Sequence, residues 1–579
     1  MKFEKKKDQA GSKTGNKTSS KTSSKTGGKT KNNASFAKDK NAFSGDKLEK
    51  TVKTERPVKM ERAERPTRSE RPDKPARAVK PGQTNRPARP VNPNQVEKPV
   101  KSVKAARAEK PAKGRDEDQD ISADQADVMI TNRFLEIEIV DIGDEGEGIG
   151  RSEGMTVFVE GGLPGDIVTC QIETQKKSYA KAKLKKIIKP SADRVVAPCS
   201  VYQSCGGCQI QDFDYNAQLK FKENMVLNAL KRVGQFSDIE VKPIIGMKDS
   251  FRYRNKGLYP VQGSISQPII GFYKKNSHNV VDVRDCLLQD EKNTIIIEMI
   301  RKYMRDFKVA PYDQKSHEGT LKSVMIRKSE KTGEIMVVLI TSGRKLAMTK
   351  TLVNLLTNAV PGIVSIIQNV HASHSIKGLG EENKILFGKA TITDEIADLK
   401  FEISPQSFYQ VNAKQTEVLF KKAMDFAQLT GEETVYELYS GTGTISLFLA
   451  QKAKKVYGIE NVEEAVINAR KNAELNNLTN VEFILGDAET EFEKLYEQGH
   501  RADVVVVDPP RSGCEGSVIE TILKMAPERI VYVSCKPSTL ARDMKLLCEN
   551  DLYKVAEVQP VDVFGHTAHV ECVVLMSRV

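Results

Sequence analysis

From about residue 400 onward, short apolar runs alternate with amphipathic stretches so regularly that few folds remain open to this chain. The runs cover 435–439, 455–460, 481–485, 503–507, 529–533 and 570–575, and helical spacing fills the intervals, as in 462–475 and 538–547. Strands that are apolar along their whole length are covered on both faces, and helices between them supply the crossovers a parallel sheet needs. The pattern predicts a doubly wound, Rossmann-like α/β domain over residues 401–579 with a parallel sheet.

In such sheets ligands bind beyond the carboxyl ends of the strands, which gives weight to the residues that close each run. The first run leads into Glu437-Leu438-Tyr439-Ser440-Gly441-Thr442-Gly443-Thr444-Ile445-Ser446. Glycines there let backbone approach a ligand and let the next helix pack closely on the sheet. Glu460 closes the second run, well placed for ribose hydroxyls; Asp487 closes the third and Asp508-Pro509-Pro510 the fourth. A dinucleotide fingerprint wants a third glycine at 446, where serine stands. A nucleoside without a pyrophosphate is the better expectation. S-adenosyl-L-methionine (SAM) is such a ligand, with a sulfonium suited to nearby acids.

The fifth run ends in Ser534-Cys535-Lys536-Pro537. A thiol there stands at the ligand crevice, and the helix about to begin, with Pro537 pre-set for its first turn, would favour the thiolate. Cys535 is the candidate nucleophile, against the plainer reading of a buried thiol closing a strand. Cys170, Cys514, Cys548 and Cys572 take that plainer reading. Glu571 opens the last run as a lone acid. His566 and His569 have no partner acids or cysteines at ligand spacing and are read as RNA-contacting or structural.

Upstream, residues 126–190 hold short alternating segments at 134–140, 155–159 and 166–172, separated by glycine-rich turns that include Gly146-Glu147-Gly148-Ile149-Gly150. They predict a small barrel of the oligonucleotide-binding kind. Its last strand, 176–189, carries seven lysines around Tyr179, a pattern suited to RNA; a solvated edge strand guarded by lysine is the alternative. Residues 191–400 read as a mixed α+β domain with one notable feature. Cys199, Cys205 and Cys208 form C-x5-C-x2-C, with Cys286 as a distant fourth. Four thiolates close a tetrahedral site, and the spacing permits zinc or an iron–sulfur cluster.

Residues 1–125 are low-complexity, first Lys/Ser/Thr/Gly and then Arg/Pro/Lys, with three phenylalanines as the only aromatics. Such a segment buries too little to offset its ordering entropy and is expected to be a disordered basic tail. Residues 1–110 carry a net charge of +19 against +13 for the whole chain, so the remainder is net −6. The basicity belongs to the tail, which reads as an arm along RNA phosphates or as a solubilising extension. No run of about 18 apolar residues occurs, so no membrane span is expected. The lysine-rich start has no apolar stretch behind it and is not a secretory signal. Nine cysteines in 579 residues fit a reducing compartment, giving a cytoplasmic expectation. No protein partner is implied.

Five motifs, Phe408-Tyr409-Gln410-Val411-Asn412, the 437–446 turn, Asp508-Pro509-Pro510-Arg511, Ser534-Cys535-x-Pro537 and His569-Val570-Glu571, together resemble the RNA uracil-C5 methyltransferase family, most closely its 23S ribosomal RNA branch. The resemblance covers about 131–579. It implies a TRAM-type RNA-binding barrel before a SAM-dependent methyltransferase domain, with donor contacts at Gln410, Tyr439, Glu460 and Asp508. It also implies Cys535 as nucleophile, Glu571 as proton acceptor, and Cys199, Cys205, Cys208 and Cys286 as the four ligands of a 4Fe–4S cluster. Lys536 stands for the commoner asparagine and Glu437 for the commoner aspartate.

The implied reaction is thiolate addition to uracil C6, methyl transfer to C5 and loss of the C5 proton, on a uridine drawn out of its stack. Arg511, Arg542 and 252–256 are candidates for phosphates. A cytosine-C5 enzyme would carry a second cysteine where Arg511 stands. The transfer-RNA branch is expected to lack the barrel and the cysteine set, and a non-catalytic RNA chaperone would not need Cys535 and Glu571.

Overall fold

The computed structural model describes residues 132–579; the expected basic tail, 1–125, lies outside the described residues. The first element group is a closed barrel of β1 (Phe134–Ile142), β2 (Gly148–Ser152), β3 (Met155–Glu160), β4 (Ile167–Gln175) and β5 (Tyr179–Lys189), in the order β1-β2-β3-β5-β4. Alternate residues fill it, among them Ile137, Ile139, Val157, Val168 and Ala180, as a period of two requires. The glycine-rich run 146–150 is not only a turn, as the sequence suggested. Gly148 and Gly150 lie in β2, where an added Cβ would meet the carbonyl oxygens of Gly162 and Glu138 at 2.7 Å. These glycines serve close backbone approach, and only Gly146 adopts the left-handed conformation, with φ 83°. Because β5 pairs with both β3 and β4, its lysines do not guard a free edge.

The central region begins with α1 (Tyr215–Arg232), capped by the Asp214 carboxylate. A seven-stranded sheet follows, built from β6 (Lys256–Gly263), β7 (Pro268–Tyr273), β8 (Val280–Asp282), β9 (Leu321–Lys328), β10 (Ile335–Thr341), β11 (Ile363–Val370) and β12 (Glu382–Gly388), in the order β12-β11-β10-β9-β6-β7-β8. The helices α2 (Glu291–Asp306) and α3 (Thr349–Ala359) share a core with it. Met325, Met336 and Val338 belong to a different core, shared with the hairpin β13 (Ile392–Ile396)–β14 (Leu399–Ile403) and with α4 (Ala413–Ala427).

The C-terminal domain contains β15 (Thr434–Leu438), α5 (Thr444–Ala450), β16 (Lys455–Glu460), α6 (Glu463–Leu475), β17 (Val481–Leu485), α7 (Ala488–Glu497), β18 (Val504–Val507), α8 (Gly516–Met525), β19 (Arg529–Ser534), α9 (Pro537–Cys548), β20 (Tyr553–Val561) and β21 (Glu571–Arg578). Strand order is β17-β16-β15-β18-β19-β21-β20. Five strands are parallel, and β21 runs antiparallel to β19 and β20, which amends the expectation of a parallel sheet throughout. The stretch 562–570 between β20 and β21 is too short for the helical crossover that a parallel pair needs. Order reverses between β15 and β18, the switch point where a ligand crevice opens. Although α1 precedes the central sheet, its Val226 and Leu230 pack into the core of this domain with Tyr532 and Leu540. Among the described residues no helix is long and apolar enough to cross a membrane.

Candidate active site

A cavity of about 1040 Å³ opens at the carboxyl ends of the C-terminal sheet, and Gln410, Tyr439, Glu460, Asp508, Cys535 and Glu571 all line it. The turn after β15 shapes one wall. Tyr439 has φ 67° and Gly441 φ 55°, so the chain reverses sharply at the strand end. The Glu460 carboxylate fixes the turn by accepting from the amides of Gly441 and Val462, both at 2.9 Å. An added Cβ at Gly443 would lie 2.6 Å from Phe483, so that glycine is needed for helix-to-sheet contact. The Tyr439 hydroxyl donates to Glu489 at 3.1 Å. Glu489 also lines the cavity and was missed, since nothing local distinguishes it from other acids opening a helix. Asp487, which closes the third run, instead accepts from Asn461 at 3.0 Å and is not among the lining residues.

The 404–412 loop forms a second wall. Arg327, 2% exposed on β9, donates to the carbonyl oxygens of Pro405 and Ser407. Asn255 donates through its side chain to the Gln410 carbonyl at 2.9 Å and through its amide to Val411 at 2.8 Å. Phe408 is left 67% exposed at the cavity rim. The central domain thus carries the Gln410 motif to the cofactor turn. Arg327 was not legible in the sequence, because an arginine in a strand gives no sign of the loop it holds.

Cys535 and Glu571 come from neighbouring strands. The β19–β21 ladder ends at the pair Ser534–Cys572, so the thiol lies one residue beyond it and the carboxyl one residue before. Burial, then the negative charge of Asp508, pushes the Glu571 carboxyl up to about 8, with Arg511 opposing. Asp508 is itself pushed up to about 7 by burial. The Cys535 thiol is pushed up to about 11, by burial first and then by Glu571 and Asp508, again against Arg511. This corrects the expectation of a thiol made acidic by the start of α9. Pro537 does open that helix, but burial and two carboxylates outweigh its terminus.

The remaining candidates separate. His569 lines the cavity, whereas His566 is 4% exposed and stacks on Phe251 at 4.1 Å. Arg511 lines the cavity, is exposed, and forms no ion pair among the described residues. Arg542 pairs with Asp543 and holds the carbonyls of Ser512 and Cys514, and Arg252 pairs with Asp285 at 2.7 Å; both are structural. Cys170, Cys514 and Cys572 are buried.

Cys199, Cys205, Cys208 and Cys286 line a separate cavity of about 280 Å³ that has no carboxylate in its wall. Gly207 donates its amide to the Cys205 sulfur at 3.4 Å, and Gln211 its side-chain amide to the Cys208 sulfur at 3.6 Å. Burial pushes the Cys286 thiol up to about 11 and raises Cys205 and Cys208 as well. As they stand, no three or more His, Cys, Asp or Glu among the described residues form a group that could hold a metal ion. Convergence on one cavity is therefore the observation, and a closed ligand set is not.

Residues 349–579 match the tRNA (uracil-5-)-methyltransferase family and residues 131–185 the TRAM domain. An RNA methyltransferase of Clostridium tetani is 48% identical over 446 residues, spanning 77% of this chain and 96% of that protein. One from Halalkalibacterium halodurans is 45% identical, spanning 77% and 97%. The crystal structure of Pyrococcus abyssi tRNA (uracil-54, C5)-methyltransferase with S-adenosyl-L-homocysteine is similar at TM-score 0.62 and 28% identity, covering 76% of this chain and all of that one.

Proposed function

This chain belongs to the RNA uracil-5-methyltransferase family and depends on SAM, and on that footing we propose that it methylates C5 of a uridine in 23S ribosomal RNA. The observation that carries the reading is that Cys535 and Glu571, on adjacent strands, line one cavity with the cofactor turn. SAM, when bound, supplies an electrophilic methyl group. Glu460 is suited to ribose hydroxyls, with Gln410, Tyr439 and Asp508 completing the donor site.

Uracil C5 is a weak nucleophile. Cys535, held as a thiol, loses its proton to solvent and adds to C6 as the thiolate, and the electron pair of the C5–C6 bond becomes available at C5 for methylation. The Glu571 carboxylate then removes the C5 proton, the C5–C6 double bond reforms, and the thiolate leaves. A carboxyl held near 8 is matched to that task, because a base works best with an affinity close to the working pH. The uridine must be unstacked to meet both groups. The β5 lysines and the basic tail are assigned to the surrounding RNA.

The four cysteines would hold a 4Fe–4S cluster, fastening the segment near 200 to the segment near 286. Four sulfur donors suit zinc as well as a cluster; the cavity of about 280 Å³ that they line, far larger than the roughly 10–15 Å³ that one water needs, leaves room for the larger group. Methyl transfer moves no net electrons, so the role is structural.

A transfer-RNA substrate is the second reading, favoured by the archaeal tRNA enzyme. Its match reaches across 76% of this chain and all of that one. The deciding experiment is digestion and mass spectrometry of 23S rRNA and tRNA from a deletion strain, before and after treatment with the protein and SAM. 5-Methyluridine missing from 23S rRNA and restored by the protein is expected. Loss confined to tRNA would move the assignment.

A further inference from the structure

The loop 562–570 joins β20 to β21, carries Phe564 and His569 into the large cavity, and delivers Glu571. Of two consecutive carbonyls in it, that of His566 is held by the segment bearing Cys208, and that of Gly565 by the 252–254 stretch, which is itself bonded to the segment bearing Cys286. Directly after Cys208, the amides of Gln209 and Ile210 both donate to the His566 carbonyl, at 3.1 and 3.2 Å. In the 252–254 stretch, the Arg252 guanidinium donates to the Cys286 carbonyl at 2.9 Å and pairs with Asp285. The amides of Arg252 and Arg254 bond to Leu287 and Leu288 at 2.7 and 2.9 Å. Between those two arginines, the Tyr253 hydroxyl donates to the Gly565 carbonyl at 3.0 Å.

The anchor itself is strained and fully engaged. His566 adopts φ 65°, a conformation that persists in a non-glycine residue only where surroundings over-determine it. Its amide donates to Gln218 at 3.0 Å, and its ring nitrogens meet Gln218 and Ser250 at 3.2 and 3.0 Å. No ring nitrogen is left for acid–base work. An added Cβ at Gly565 would approach the terminal methyl of Met247 to 2.9 Å and the Ser250 carbonyl oxygen to 3.3 Å, so Met247 and the 250 segment pack closely on the anchor.

We propose that the two cysteine-bearing segments act as a clamp on the catalytic loop, with Gly565 and His566 as the shared anchor and Tyr253 as a positioning residue for Glu571. The inference rests on the reading of Glu571 as the base and of the four cysteines as a common ligand set. When the cysteines share one ligand, segments distant in sequence are fixed to each other, and the loop between them is fixed with them. Cys535 stands directly after β19, outside the clamp. Loosening the clamp therefore slows the step that needs Glu571, in which the carboxylate takes the C5 proton and the carbon–sulfur bond breaks, more than the addition that precedes it.

The test uses full-length protein purified anaerobically, a uridine-containing RNA fragment and SAM, with Tyr253→Phe as the variant. The expected result is wild-type metal content and wild-type affinity for S-adenosyl-L-homocysteine, together with about fivefold more covalent protein–RNA adduct on denaturing gels. Fivefold corresponds to about 1 kcal/mol, the net worth of one hydrogen bond. Chelation of the metal should give the same adduct and faster hydrogen exchange across 562–571. Wild-type adduct levels and unchanged exchange in both preparations would overturn the clamp. Glu571→Gln separates the two readings. If that variant accumulates no adduct, the base assignment fails, and the clamp then stands or falls on the exchange measurement alone.

Discussion

Ser446, in the first turn of α5, donates its hydroxyl hydrogen bond to Glu437, one residue before the end of β15, and both side chains are buried. Serine 446 occupies the position where a dinucleotide-binding turn would carry its third glycine. Close packing is recovered from the opposite side, since an added Cβ on Gly458 of β16 would meet the Ser446 hydroxyl at 2.9 Å. The glycine has in effect moved from the helix to the strand, and the freed position supplies a polar partner for a buried acid beneath the cofactor turn.

That acid sets a pH dependence of stability. Burial pushes the Glu437 carboxyl up to about 8 from an ordinary value of 4.5, with Ser446 opposing and Asp508 adding to it. The folded state therefore holds a proton that the unfolded state has released, and the associated stability is lost as pH rises from about 4.5 to about 8. Glu437→Gln keeps an amide that can accept from Ser446 and removes the titration. The variant should melt higher than wild type at pH 8, by on the order of 1–3 kcal/mol, and the two should converge near pH 5. Equal pH slopes in calorimetry would refute the assignment.

Glu571 gives a kinetic counterpart. A base must be ionised in the free enzyme, so Glu571 should add a rising limb to kcat/KM near pH 8, where its carboxyl is held, below the further rise that ionisation of the Cys535 thiol gives near 11. Arg511 is the cation that opposes this rise, so Arg511→Gln should move the limb to higher pH. A profile flat from pH 6 to 9 in single-turnover assays would remove Glu571 from that role.

The division of labour between thiol and carboxyl predicts opposite defects. Cys535→Ala should bind RNA and SAM yet form no covalent adduct with 5-fluorouridine RNA. Glu571→Gln should trap adduct with ordinary uridine RNA and lose roughly 10²–10⁴-fold in turnover, the usual range for a positioned base. Adduct formation by Cys535→Ala, read on denaturing gels, would place the nucleophile elsewhere.

What the sequence made legible followed from local pattern. The central strands of 435–439 through 529–533 are mostly apolar, and the residues closing them bring Glu460, Asp508 and Cys535 to a single cavity. Strand β20 was not read, because Lys554, Glu557 and Pro560 interrupt its apolar run and its burial is confined to one end and the far half. Strand β2 was read as a turn, since glycine spacing looks the same whether it bends a chain or lets two strands touch. The proton affinity of Cys535 was misjudged for a related reason. Its helix start is visible in sequence order, while Glu571 and Asp508 reach it only across the sheet. Arg327 and Tyr253 act on loops far along the chain and leave no local mark.

The outward face of β5 carries the last prediction. Ala180 and Ala182 are buried while Lys181, Lys183, Lys185 and Lys186 between and beyond them are exposed, so the strand presents its charge on one side. Tyr179 stands at its start, edge-on to Phe158 at 5.8 Å and under the Lys176 ammonium at 5.6 Å, which gives a base a ring to stack on beside phosphate-binding cations. Lys181→Ala with Lys183→Ala should weaken RNA binding without changing the affinity for S-adenosyl-L-homocysteine, because the barrel core lies behind these positions. Each lost phosphate contact should reduce the slope of log K against log salt by roughly 0.7 for single-stranded RNA. Titrations at several salt concentrations measure this directly. An unchanged slope with reduced affinity would mean that the lysines act through barrel stability, and the phosphate role would have to pass to other residues.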